Sequence, residues 1–137
     1  MARRQLREPD ISLDITPLIP AGRQLIRGYG DGKFRIAETQ HDGSVLVFAD
    51  ETLAWPVARW EDVTMDSLTP ILDRAAEARL LLIGCGPAFV LPPRGLKKAL
   101  KDDHGIVLEW MDTGAACRTF NVLLAEERAA AAALVAV

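Results

Sequence analysis

Reactive side chains are scarce in this 137-residue sequence: two cysteines, two histidines and one tyrosine. Cys85 and Cys117 have no C-x-x-C spacing, so neither a zinc ribbon nor a dithiol redox motif is encoded. Both are expected to stay thiols in a reducing compartment, and only a meeting in space would make them a redox pair. His41 falls in a turn and His104 at the far end of a helix. Together with the cysteines they give no zinc-ligand spacing, and neither histidine is placed to serve as base for Cys85. No apolar run is long enough to span a bilayer. The basic start, Met1 to Glu8, is followed by no apolar core, so it is not read as a secretory signal, and it is short for a transit peptide. Net charge is −3, with no basic field of the kind nucleic acid requires. These absences lead us to expect a cytoplasmic protein with no metal or other cofactor, no nucleic-acid partner and no membrane span.

What is present is ordinary for a globular chain: half the residues are apolar and a quarter charged. The length suits one domain, 1–137. Residues 1–10 are expected to be loose, with order tightening from about Ile11, and 132–137 to fray.

The most informative stretch is Arg79-Leu80-Leu81-Leu82-Ile83-Gly84-Cys85-Gly86. Four consecutive large apolar residues, closed by Gly-Cys-Gly, predict a strand buried on both faces. Before it, the alternation over Gln24–Tyr29 predicts a strand. Asp31-Gly32 is a tight-hairpin signal, because both central residues of such a turn need positive φ. Phe34 to Glu38 is the returning strand. A second turn at His41-Asp42-Gly43-Ser44 leads to a more buried strand, Val45–Phe48. The first half therefore reads as an antiparallel meander. Trp55-Pro56-Val57 suits a short edge strand, with Trp55 and Trp60 packed in the core or over a sheet edge.

Helical spacing runs from Asp62 to Ala78, with Pro70 in the first turn and Leu68, Ile71, Leu72 and Ala75 inward. After Gly86, the proline-studded Pro87–Pro93 segment reads as an ordered loop. Arg94 to Asp103 is a short helix ended by Gly105, its lysines forming a solvated face. Ile106 to Met111 is a strand. Asp112 or Thr113 caps a long last helix through about Ala131. The fold class is α/β, three-layer: a central mixed sheet with a parallel strand–helix–strand crossover, an N-terminal antiparallel meander and a long C-terminal helix.

Parallel strands would bring the Gly84-Cys85-Gly86 loop and the Met111-Asp112-Thr113-Gly114 turn to one sheet edge, where open α/β sheets bind ligands. The free N–H groups at the start of the last helix lie there too. Thr113, Cys117 and Asn121 share a helix face, and Arg118 stands one turn above Gly114. Gly84, Cys85, Gly86, Thr113, Gly114, Arg118 and Asn121 thus make a candidate small-anion cleft. The structural alternative stays open: the glycines serve the turn, Thr113 caps, the cysteines fill core, Arg118 pairs with a carboxylate and Asn121 satisfies backbone. No catalytic residue or metal site is assigned. The glycines around Tyr29 lie in a hairpin, not at a strand-to-helix turn, so they form no phosphate loop.

Gly28-Tyr29-Gly30, Gly43-Ser44-Val45-Leu46-Val47, Trp55, Leu81–Gly86 and Met111–Leu123 with Glu127-Arg128 resemble one family in order and spacing. It is the small α/β family of mitochondrial respiratory complex I assembly factor three and the adipogenesis-associated protein, with uncharacterised bacterial and archaeal members. The resemblance covers about residues 10–135. It implies a three-layer fold with a central mixed sheet and brings no established activity, cofactor or catalytic residue. Where the family commonly has Gly-Thr-Gly, this chain has Gly-Cys-Gly, which argues against Cys85 as a required nucleophile. The resemblance implies a non-enzymatic assembly or interaction factor with protein partners, acting on respiratory complex I or another membrane-associated complex. It also suits a bacterial member at the cytoplasmic side. The rival reading is a small-anion binder or enzyme using the cleft. Whether the chain forms a homo-oligomer is left open.

Overall fold

Asp31 and Gly32 adopt φ of 54° and 74°, the left-handed pair that an Asp-Gly hairpin requires. The computed structural model describes residues 19–137, so the expected loose segment 1–10 lies outside it. The turn joins β1 (Ile26–Gly30) to β2 (Lys33–Ile36) antiparallel. β2 pairs in turn with β3 (Thr39–Asp42), closing a three-stranded sheet. The expectation that Val45–Phe48 is the third strand of this meander is corrected. Thr39–Asp42 is polar and largely exposed, which suits a sheet edge. β4 (Val45–Val47) is buried at all three positions and belongs to a second sheet.

That second sheet has five strands in the order β5-β4-β8-β6-β7. β5 is Thr52–Ala54, β6 Leu80–Gly84, β7 Val107–Met111 and β8 Ala130–Leu134. β6 runs parallel to both β7 and β8, whereas β4 is antiparallel to β5 and β8, so the sheet is mixed. The short strand expected at 55–57 ends instead at Ala54. Trp55 and Val57 turn into the core, and the Trp55 indole N–H donates to the Ser67 carbonyl at 2.8 Å.

The continuous helix expected over 62–78 is broken. Only α1 (Thr69–Leu72) is α-helical, flanked by single 3₁₀ turns at Asp66–Leu68 and Ala75–Glu77. Pro70 does stand in its first turn. Arg74 leaves helical geometry and reaches Asp50, Glu51 and Glu77, with its guanidinium 3.9 Å from the centre of the Phe48 ring. These contacts fasten the segment across the turn that follows β4. α2 (Leu96–His104) forms the crossover between β6 and β7 and ends on Gly105 at φ 67°.

The largest correction concerns the alanine-rich end. α3 (Thr113–Ala125) does not continue to Ala131; it stops in a turn where Glu127 is left-handed. Ala130–Leu134, expected to extend the helix and fray, is instead the middle strand of the large sheet, hydrogen-bonded to β4 on one side and β6 on the other. Tertiary burial overrides the helix propensity of alanine here. All five residues are buried, and their small side chains let both covering layers approach.

Side chains alternate between two cores. Leu46, Leu81, Ile83, Leu108, Ala131 and Ala133 meet α2 and the helical turns around Leu68 and Ile71. Val45, Val47, Leu82, Ala130, Ala132 and Leu134 meet α3 and the small sheet, through Phe120, Phe34 and Ile36. The order of layers is therefore helices, five-stranded sheet, then α3 with the three-stranded sheet. Gly84 ends β6 on the α3 face, which places it against the start of that helix.

Candidate functional site at the start of α3

The parallel pairing of β6 and β7 does bring the Gly84–Gly86 loop and the Asp112–Gly114 turn together. A Cβ on Gly84 would lie 2.7 Å from the Thr113 Cα and 3.2 Å from Leu134. Only glycine allows helix and strand to approach this closely. Asp112 has extended geometry and its carboxylate accepts from the Ala115 N–H at 2.9 Å, so Asp112, not Thr113, is the cap. Thr113 is fully buried and its hydroxyl works in both directions. It accepts from the Gly86 N–H at 3.0 Å and donates to the Val135 carbonyl at 2.7 Å. The Thr113 N–H donates to the Gly86 carbonyl at 2.9 Å. Thr113 thereby ties the loop after β6 to the end of β8.

Asn121 is engaged just as completely. Its amide NH₂ donates to the Ile26 carbonyl at 2.8 Å, and its carbonyl accepts from the Ile26 N–H at 2.9 Å. The contact falls at the irregularity in the β1–β2 register between Ile26 and Gly28. Cys117 is buried in the core beside α3, and desolvation pushes its thiol up to about 12. Cys85 is buried too, its Sγ 3.5 Å from the Ala88 carbonyl. Both cysteines are free thiols.

Arg118 is exposed and makes no ion pair with Glu109, Asp112 or Glu126. Its guanidinium donates to the Tyr29 hydroxyl at 3.2 Å. That hydroxyl occupies the space a Cβ on Gly114 would need, 2.6 Å away. The cleft expected from the sequence does not include Tyr29. The available signal was a tyrosine between two glycines in a hairpin whose other face must pack on a helix. Beside it a hollow of about 290 Å³ opens, walled by the β1–β2 hairpin and not by the Gly84–Gly86 loop. Gly84 and Gly86 meet Thr113, and Gly114 meets Arg118, whereas Asn121 lies two turns further along α3 against Ile26; Thr113 and Asn121 both bond backbone with their polar groups. Arg118 is the charged group left facing solvent.

Beyond the start of α3, the loop Pro87–Pro93 is held in place from below. The Trp110 indole N–H donates to the Val90 carbonyl at 2.7 Å. Phe89 and Leu91 point outward and are 57% and 77% exposed. Among the described residues, no group of three or more His, Cys, Asp and Glu is gathered as metal ligands would be. Also among them, no helix is long and apolar enough to cross a membrane.

A mixed sheet between a helical layer and a helix-plus-small-sheet layer, with a glycine-tightened junction at Gly84 and Thr113, defines a small three-layer α/β class. Residues 26–135 match the family described as protein of unknown function (DUF498/DUF598), and the chain belongs to it. Among relatives, it is 38% identical over 114 residues to an uncharacterised protein of Rhodobacter capsulatus, covering 83% of this chain and 86% of that one. It is 33% identical over 115 residues to NADH dehydrogenase (ubiquinone) 1 alpha subcomplex assembly factor 3 of Drosophila melanogaster, covering 81% of this chain. That match spans 58% of the assembly factor's own length. Among solved structures, an outer membrane protein from Bartonella henselae superposes with a TM-score of 0.77 at 38% identity, covering 85% of this chain and 98% of that one.

Proposed function

We propose that this chain is a non-enzymatic interaction protein that supports assembly of a respiratory complex or another membrane-associated complex. Its relation to assembly factor 3 proteins motivates the class of partner. The observation that carries the reading is the Pro87–Pro93 loop. It presents Phe89 and Leu91 to solvent while Trp110 fixes its backbone from beneath. A loop already held in one conformation loses little entropy on binding, and large apolar side chains on such a loop make good anchors at interfaces. The polar groups at the start of α3, by contrast, are largely engaged within the fold.

The test is a tagged pull-down from the native host under gentle detergent, read by mass spectrometry, against a Phe89→Ser/Leu91→Ser variant. Wild type is expected to recover a defined set of subunits of one membrane-associated complex, and the variant at least tenfold less. Recovery of no stable partner by wild type, or of the same set by the variant, overturns the reading.

A further inference from the structure

The Pro87–Pro93 loop runs directly into α2, and the join carries charge of one sign. From Gly86 to Lys101 the sequence holds four cations, Arg94, Lys97, Lys98 and Lys101, and no carboxylate, although the whole chain is net −3. All four are exposed. Lys98 is paired with Asp102, whereas Arg94, Lys97 and Lys101 form no ion pair among the described residues. Beside this join, between the end of the loop and residues 63–65, lies a hollow of about 320 Å³. Met65, Pro93 and Ala99, each partly exposed, line it together with Thr64 and Arg94. Pro93 is two residues from Leu91, so the hollow adjoins the exposed apolar pair of the loop.

Arg94, Lys97 and Lys98 stand where a helix favours the opposite charge. Unbonded N–H groups and the macrodipole make a helix start positive, so acidic residues are stabilising there. The first turn of α2 contains none, and its N-cap is Gly95, left-handed at φ 83° with no side chain to accept from those N–H groups. At α3, by contrast, the Asp112 carboxylate supplies the acceptor. The start of α2 therefore breaks a local rule that the rest of the fold obeys, and a carboxylate from outside the chain would restore it.

We infer that the loop and the start of α2 form one docking surface for an acidic, amphipathic segment of a partner protein. The segment's apolar side chains lie against Phe89, Leu91 and the hollow, and its carboxylates face Arg94 and Lys97. The inference rests on the binding role proposed for the loop and adds the chemistry of what the loop binds. Charge complementarity of this kind selects the partner and speeds the encounter. An anionic bilayer offers the same charge, but it repels a chain that is net negative as a whole. A walled hollow also suits a fixed side chain rather than a fluid surface.

The test displays random twelve-residue peptides against the whole chain and titrates the enriched ones against wild type and an Arg94→Glu/Lys97→Glu variant. Both substituted side chains are exposed, and circular dichroism checks that the variant folds. Enriched peptides are expected to combine Asp or Glu with Leu, Ile, Met or Phe, and to bind the variant at least tenfold more weakly. By NMR they should move the amide signals of Phe89, Leu91 and Lys97. A copy of the peptide with lysine in place of its acids should prefer the variant, which a merely damaged variant would not show. No enrichment, enrichment of peptides without acids, unchanged binding by the variant, or signals that move only elsewhere each overturn the inference. So do vesicles of equal parts phosphatidylglycerol and phosphatidylcholine that bind the chain and exclude the peptide, which would assign the surface to a bilayer. In the native-host pull-down, loss of partners with Phe89→Ser/Leu91→Ser but not with Arg94→Glu/Lys97→Glu keeps the binding role and removes only the acidic segment. Loss with neither removes both.

Discussion

Asn121 pairs with Ile26 as a neighbouring strand residue would, accepting from its N–H at 2.9 Å and donating to its C=O at 2.8 Å. The two residues are 95 positions apart, and the amide is the side chain that best imitates a peptide group. It supplies β1 with hydrogen bonds at the point where the β1–β2 ladder slips, and so joins the small sheet to α3. Replacing it with leucine leaves both groups of Ile26, itself buried, without partners. Asn121→Leu is expected to lower stability by about 2 kcal/mol. The measurement is the urea midpoint at constant slope, and an unchanged midpoint would show that the pairing contributes nothing.

Gly84→Ala tests the close approach of β6 to α3. The added methyl would stand 2.7 Å from the Thr113 Cα, which is backbone and cannot swing aside. The expected loss is about 1–3 kcal/mol, the range for forcing extra volume into a packed interior. Gly86→Ala makes the contrast, because its Cβ meets nothing within 4 Å and the strain lies only in a φ of 122°. Thermal unfolding of the two variants should separate them in kind. Wild-type-like solvent protection of Thr113 should persist in Gly86→Ala and fall in Gly84→Ala, as read by amide exchange. Equal protection in both would remove the steric account.

Cys117 gives a dependence on alkaline pH. Burial raises its thiol from an ordinary 9.0 to about 12, so the folded state holds the proton where the unfolded state has released it. This contribution is fully present below pH 9 and is lost as pH rises from about 9 to about 12. Cys117→Ala is expected to flatten that part of the stability curve, measured by chemical denaturation at a series of pH values. In the native protein at pH 8 the thiol should resist iodoacetamide and react only at the rate of opening. Fast alkylation without unfolding would contradict its placement.

Arg118 decides what is left of the anion-cleft reading. Its guanidinium lies on the Tyr29 hydroxyl and toward solvent, and the neighbouring Thr113 and Asn121 are engaged elsewhere. Inorganic phosphate is therefore expected to shift the melting temperature of wild type and Arg118→Ala equally. A shift seen only in wild type would establish the anion site and displace the purely structural account of this junction.

Several parts of this architecture are written locally, and others are not. The Leu80–Gly84 strand is legible because a run buried on both faces carries no polar alternation, and Asp31-Gly32 because its turn demands two positive φ values. The approach of Gly84 to Thr113 is legible because parallel topology brings the end of β6 to the start of α3. The partners of Arg118 and Asn121 were hidden. Tyr29 and Ile26 lie 89 and 95 positions from the residues they bond, and no local pattern encodes such a distance. The alanine run misled for a related reason. Alone, Ala129 to Ala133 is strong helix sequence. Between β4 and β6 with layers on both faces, its small side chains are what the sheet centre requires. Glu126, Glu127 and Arg128 are themselves good helix formers, so no local pattern marks the turn at which Glu127 becomes left-handed.

The position of β8 has a consequence for synthesis of the chain. Among the described strands it leaves the ribosome last, and it alone connects β4 to β6. Until it emerges, the nascent protein holds two apolar strands with unsealed edges and no means of joining them, a state open to mispairing and suited to chaperone capture. Formation of the large sheet is therefore one late step, and a stall anywhere before Ala130 strands the whole of it.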